Sequence, residues 1–174
     1  MAMVVLRSAT PEDALGITIV NVYTWKTAYT GLVADALIDE RIRCLQERAA
    51  ITRQTIAQEK ACFVVAVDGA AIIGFCMFGA SRDAAEPGAG EVYALYVLRG
   101  YHGQGVGKRL FAAAVQGLRA MGHERMILNC LKGNPALGFY RHMGGVPVRE
   151  RTDEVAGHRI TEDVLLFASL ATMA

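Results

Sequence analysis

EVYALYVLRGYHGQGVGKRL, residues 91–110, decides the fold. Val92 to Leu98 is an apolar, β-rich run that reads as a central strand. From Gly107 onward Leu110, Phe111, Ala114, Val115 and Leu118 fall on one helical face, with Lys108, Arg109, Gln116 and Arg119 on the other. Between strand and helix lie Gly100, Gly103, Gly105 and Gly107, followed at once by Lys108. More glycine gathers here than a plain turn requires, in the context where free backbone N–H groups and a positive helix end hold a phosphate.

The turn fits neither of two familiar phosphate loops. In a Walker A loop the position of His102 would be glycine and that of Arg109 Ser or Thr, so nucleotide triphosphate chemistry is disfavoured. Neither Gly103-Gln104-Gly105 nor Gly105-Val106-Gly107 has a further glycine three residues on, and the turn follows a late strand, which disfavours NAD.

Working outward, Met1 to Arg7 is short and apolar and reads as a first strand. Thr10-Pro11-Glu12-Asp13 supplies an N-cap, a first-position proline and an acidic first turn for a helix through Leu15, Ile19 and Val22. Helical composition resumes around Ala34 to Asp39 and from Arg41 to about Gln58. Cys62 to Val67 and Ile72 to Phe78 flank Asp68-Gly69, a hairpin signal. Met126 to Leu131 reads as a strand, Asn134-Pro135 opens a short helix that Gly144-Gly145 closes, and Val146 to Arg151 and Val164 to Leu170 are the last strands. That order describes one α+β (mixed α/β) layer structure, a single domain over residues 1–174.

Eighteen Lys plus Arg against 17 Asp plus Glu leave a formal net charge of +1, which argues against nucleic acid or an anionic membrane as partner. No window approaches the ~20 apolar residues needed to cross a bilayer, and no signal peptide is expected, so the reading is a cytoplasmic protein. Cys44, Cys62, Cys76 and Cys130 make no CxxC pair, so no metal is expected. The last three, each in an apolar run, read as reduced core thiols.

Residues 91–110 resemble the strand, turn and helix of the GCN5-related N-acetyltransferase (GNAT) family. The family turn, Arg/Gln-x-x-Gly-x-Gly/Ala, falls on His102, Gly105 and Gly107, with His102 departing from the first position and Arg99 standing where proline is common. Asn134 to Gly145 resembles the family's Asn-x-x-Ala-x-x-x-Tyr-x-x-x-Gly-Phe segment, with the alanine shifted and Gly145 in place of the Phe. Arg7 to Asp13 and Trp25 to Gly31 match a common start of small bacterial members.

The resemblance implies a central, mostly antiparallel twisted sheet of about six to seven strands flanked by about four helices. It further implies acetyl-CoA as acyl donor, held by His102, Gly103, Gln104, Gly105, Val106, Gly107, Lys108 and Asn134, with Leu95, Tyr96 and Val97 where the strand splays to admit the pantetheine arm. Tyr140 matches the family's general acid, although alone it reads as a core aromatic. Glu91 falls where some members carry a glutamate base, and reads equally as a solvated strand-end carboxylate. The acceptor, a small-molecule or peptide amine, could meet Trp25 and Tyr29, which otherwise form a hydrophobic cluster. Asp83 and Glu86 could attract a cationic acceptor from their loop. Family analogy adds a homodimer through the C-terminal strands. The rival expectations are a coenzyme A-binding sensor without catalysis, and an interaction domain whose turn holds nothing.

Overall fold

The computed structural model describes residues 4–173, so Met1 to Met3 of the expected first strand lie outside the described residues. The chain runs β1 (Val5–Ser8), α1 (Ala14–Tyr29), α2 (Asp35–Arg43), α3 (Leu45–Ala57), β2 (Cys62–Asp68), β3 (Ala71–Ala80), β4 (Gly90–Val97), α4 (Val106–Ala120), β5 (Met126–Leu131), α5 (Ala136–His142), β6 (Val146–Val155) and β7 (His158–Phe167). The strands form one seven-stranded sheet in the order β1-β2-β3-β4-β5-β7-β6. Every neighbouring pair is antiparallel except β4 and β5, which run parallel.

Local chemistry explains most of these elements. Pro11 to Asp13 forms a single 3-10 turn, in which the Thr10 N–H donates to the Asp13 carboxylate at 2.8 Å, and α1 starts directly behind it. α1 continues through Trp25 to Tyr29, beyond the stretch that its apolar spacing marked. Gly69, at φ 59, turns the β2–β3 hairpin, and Gly122, at φ 89, follows the last turn of α4.

Two apolar layers sandwich the sheet. On one face α4 sinks Leu110, Phe111, Ala114, Val115 and Leu118 against Phe78, Val92, Leu128 and Phe167. Each such side chain contributes about 1.5–3 kcal/mol by leaving water. On the other face α1 lays Ile17 and Val20 against Phe63, Val65 and Phe75.

Three details depart from the sequence reading. β6 and β7 run on to meet at a turn around Ala156 and Gly157, so β7 starts at His158, not Val164, and ends at Phe167. Residues 152–154 and 161–163 are too polar to signal a strand, yet backbone pairing from Glu150↔Asp163 to Val155↔His158 holds them. Cys62 opens β2 at an exposed position, while Cys76 and Cys130 are buried as expected. Burial pushes the Cys130 thiol up to about 12. Among the described residues no helix is long and apolar enough to cross a membrane.

Candidate active site

The site follows from the parallel pair. β4 and β5 are in register only at Gly90↔Met126, Glu91↔Ile127 and Val92↔Leu128. Tyr93 is then an extra residue against β3, where pairing passes from Phe78↔Val92 to Met77↔Ala94. That bulge turns β4 away from β5, leaving the β5-facing backbone groups beyond Val92 without a strand partner. Leu95, Tyr96 and Val97 lie along this opening and remain paired to β3 on their other side.

The glycine turn closes one end of the opening. Gly103 and Gly105 hold φ 75 and 76, and Gly105 is the left-handed N-cap of α4. Among the described residues the backbone N–H groups of Gly103, Gln104, Gly105, Val106, Gly107 and Lys108 find no acceptor; the first bond back into the turn is Arg109 N–H to Gly105 C=O at 3.0 Å. Space above Gly103 and Gly105 is open to beyond 4 Å. Six consecutive donors at a helix N-terminus, with glycine clearing the approach, form an anion cradle. His102 does not point into it. Its Nε2 lies 2.9 Å from the Val97 carbonyl, which can only accept, so the ring donates there and ties the turn to the end of β4. Gln104 likewise turns its amide to the Gly100 carbonyl at 3.0 Å. A cavity of about 330 Å³ adjoins Lys108 between α4 and the end of α5.

Asn134 caps α5, its Oδ1 accepting the Ala136 N–H at 2.9 Å. α5 buries Tyr140 beside Phe111 and Phe139, with ring centroids 6.4 and 5.3 Å away. Burial pushes the Tyr140 phenol well up, with smaller contributions from Cys130, Tyr96 and Cys76. Tyr96 belongs to the opposite face of the sheet, on the stretch of β4 that has left β5.

On that opposite face Tyr96 is a hub. Its hydroxyl accepts the Trp25 indole N–H at 3.1 Å and lies 3.4 Å from the Tyr29 hydroxyl. Trp25 and Tyr29 pack edge to face at 4.8 Å, and the Arg41 guanidinium sits 3.3 Å over the Trp25 ring. Burial first, then Tyr96, raises the Tyr29 phenol.

Glu91 is neither solvated nor alone. It is 2% exposed, and its carboxylate accepts the Arg82 N–H at 2.8 Å and Arg82 Nη2 at 2.7 Å. Burial raises the carboxyl of Glu162, on β7, above the ordinary range, with Asp153 and Glu91 adding to the rise and Arg151 and Arg82 opposing it. Asn129 Oδ1, in β5 between two residues that face α4, is buried with no donor among the described residues. Asp83 and Glu86 are not free to draw a cation: Arg149 pairs with Asp83 and lowers its pKa, and Arg125 lies 3.6 Å from Glu86. The sequence reading missed Glu162, Asn129, Arg41 and the hydroxyl role of Tyr96. The surroundings of each come from elements distant in sequence, and no local spacing announces them.

The profile of the acetyltransferase (GNAT) family matches residues 22–144, which includes the splayed strand, the turn and α5. The chain belongs to that family. A Bacillus subtilis protein described as the uncharacterized N-acetyltransferase YuaI is 30% identical over 171 residues, 98% of this chain and 96% of its own length. Among solved structures, the PaiA N-acetyltransferase of Thermoplasma acidophilum in complex with coenzyme A superposes with a TM-score of 0.71 at 20% identity, covering 92% of this chain and 98% of that one. YncA of Salmonella typhimurium, solved with its cofactor acetyl-CoA, gives 0.71 at 17% identity over 99% and 97%. As a GNAT protein the chain is an acyl-CoA-dependent acetyltransferase. Its seven-stranded sheet and five α-helices are the family's α+β architecture.

Proposed function

We propose that this protein transfers the acetyl group of acetyl-CoA to a primary amine of a small molecule or peptide, directly within a ternary complex. The observation that carries the reading is the row of six unpartnered N–H groups from Gly103 to Lys108, opening onto the splay of β4 from β5. The cradle fits a pyrophosphate: its donors are backbone groups, its floor lacks side chains at Gly103 and Gly105, and Lys108 adds positive charge. Coenzyme A accompanies both structural neighbours named above, in keeping with that fit.

Acetyl-CoA, when bound, supplies an activated thioester carbonyl. The chain's own groups supply the rest. Backbone donors of Leu95 to Val97 that face the missing β5 pairing stand ready for the carbonyl oxygen as it gains charge. Tyr140, kept protonated by burial, gives its proton to the departing sulfur. On the opposite face Glu91 takes the proton that the amine must lose, directly or through water, while Arg82 fixes the orientation of its carboxylate. The unpartnered Asn129 Oδ1 and the aromatic wall of Trp25, Tyr29 and Tyr96 supply an acceptor and an apolar face for an amine entering from the α1 side.

Incubation with acetyl-CoA and an amine panel, following thiol release and product mass, tests the reading. Turnover with an amine and no labelled enzyme supports direct transfer, whereas a stable acetyl-enzyme overturns it. The Arg82–Glu91 pair favours one rival, a coenzyme A-binding sensor, because both carboxylate oxygens already hold a donor. Acetylation of any panel amine excludes that rival.

A further inference from the structure

Where the corner between α2 and α3 meets the tip of the β6–β7 hairpin, a cavity of about 160 Å³ is lined by Trp25, Glu40, Arg41, Arg48 and Val155. Its two arginines are half-buried and lack the carboxylate partners that such guanidinium groups ordinarily have. Among the described residues neither Arg41 nor Arg48 pairs with a carboxylate, although seven other cations do. The one hydrogen bond of the Arg41 guanidinium is a long one, from Nη1 to Asn21 Oδ1 at 3.3 Å, and Arg48 Nε is buried with no acceptor. Burial, then the like charge of Arg48, brings Arg41 down to about 10. Two half-buried cations beside a single carboxylate leave charge for a ligand to complete, and the planar fork of arginine matches a carboxylate two bonds at a time.

We infer that this cavity is an anion site that takes the carboxylate of the acceptor, so the protein acetylates amines of the amino-acid class, which carry both groups. The inference rests on the acetyltransferase reading above and deepens it. Two guanidinium groups against Glu40 leave one unit of positive charge, which a carboxylate monoanion neutralises and a phosphate dianion would overshoot. Trp25 joins this cavity to the reaction site, because its ring carries Arg41 on one face while its N–H reaches Tyr96 at the splay. A ligand held by its carboxylate at Arg41 and Arg48 therefore lies along the aromatic wall that ends at Tyr96, on the splayed strand.

The chain's only tryptophan is Trp25, so its fluorescence reports the cavity without any need for turnover. Titration with the proteinogenic L-amino acids, their α-amides and inorganic phosphate, up to about 10 mM in the presence of coenzyme A, gives the comparison. The inference expects an amino acid to perturb the signal and its amide to bind at least about tenfold more weakly. Arg41→Gln and Arg48→Gln should each lose that preference while still binding acetyl-CoA by calorimetry. With two variants, misfolding of one leaves the other to decide. Equal binding of acids and amides, tighter binding of phosphate, or no response from the whole panel overturns the inference. Carboxylate-dependent binding without acetylation of any bound amine would leave the anion site standing and remove the catalytic reading instead.

Discussion

Trp25 donates its indole N–H to the Tyr96 hydroxyl across 3.1 Å, joining the C-terminal half of α1 to the strand that splays from β5. Tyr29 lies 3.4 Å from the same oxygen, so one hydroxyl aligns both α1 aromatics with the reaction centre. Tyr96→Phe removes that oxygen and leaves the Trp25 N–H without its partner. The expected cost is about 1–3 kcal/mol in chemical denaturation. The Michaelis constant for the amine should rise about fivefold or more, with the acetyl-CoA dissociation constant unchanged.

Tyr140 presents a different balance. Its ring packs on Phe111 and Phe139, so Tyr140→Phe keeps the packing and removes only the hydroxyl. If that hydroxyl protonates the departing sulfur, kcat should fall about 10²–10⁴-fold while calorimetry shows acetyl-CoA binding as before. Because burial holds the phenol protonated well beyond its ordinary range, any alkaline limb in the parent's pH profile should belong to another group. Full activity of the variant would return Tyr140 to a packing role.

Gly107 separates binding from folding more sharply than its neighbours do. At Gly103 and Gly105 any side chain meets a strained backbone at φ 75 and 76. Gly107 has helical geometry, and a Cβ there would come no nearer than 3.9 Å to Phe139 and 4.0 Å to Val97. Gly107→Ala should therefore leave stability unchanged or raise it by up to about 1 kcal/mol, the helix propensity difference. The added methyl group points toward Phe139 and Val97, and the family turn admits alanine at this position, so acetyl-CoA affinity should stay within about threefold by calorimetry. A loss of affinity at unchanged stability would instead show that the cradle requires glycine there.

What the sequence made legible divides along physical lines. The turn was readable because left-handed backbone at Gly103 and Gly105 admits few residues other than glycine, and α4 because its apolar stripe repeats at helical spacing. The β6–β7 tip was not, since its side chains follow no apolar alternation and only the fold brings Ile160 against Leu37 and Leu131. Glu91 looked solitary because its partner Arg82 sits nine residues away across a loop, and only the fold brings the guanidinium back to it. Local sequence marks Tyr96 only for its backbone, whereas the hydroxyl acquires its role from a helix 67 and 71 residues distant in sequence. Long-range side-chain encounters of this kind leave no local period to read.

Arg7 and Asp13 tie β1 to the start of α1 through two bonds of 2.6 and 2.8 Å, and Thr10 adds its N–H. The Arg7 guanidinium, with help from Thr10, lowers the Asp13 carboxyl from 3.8 to about 2. A carboxyl depressed in the folded state stabilises it fully above the unfolded value, and that contribution disappears as pH falls through the folded one. Arg7 is 44% exposed, so water screens the pair and its full contribution should be about 1 kcal/mol. Asp13→Asn should therefore destabilise the protein by about that amount at pH 7 in urea denaturation. The gap between parent and variant should shrink to about half by pH 3, where the unfolded carboxyl is already largely protonated and the folded one is not. A gap that stays constant from pH 7 to pH 3 would show that the charge of the Asp13 carboxylate adds nothing to stability, and would overturn the ion-pair account.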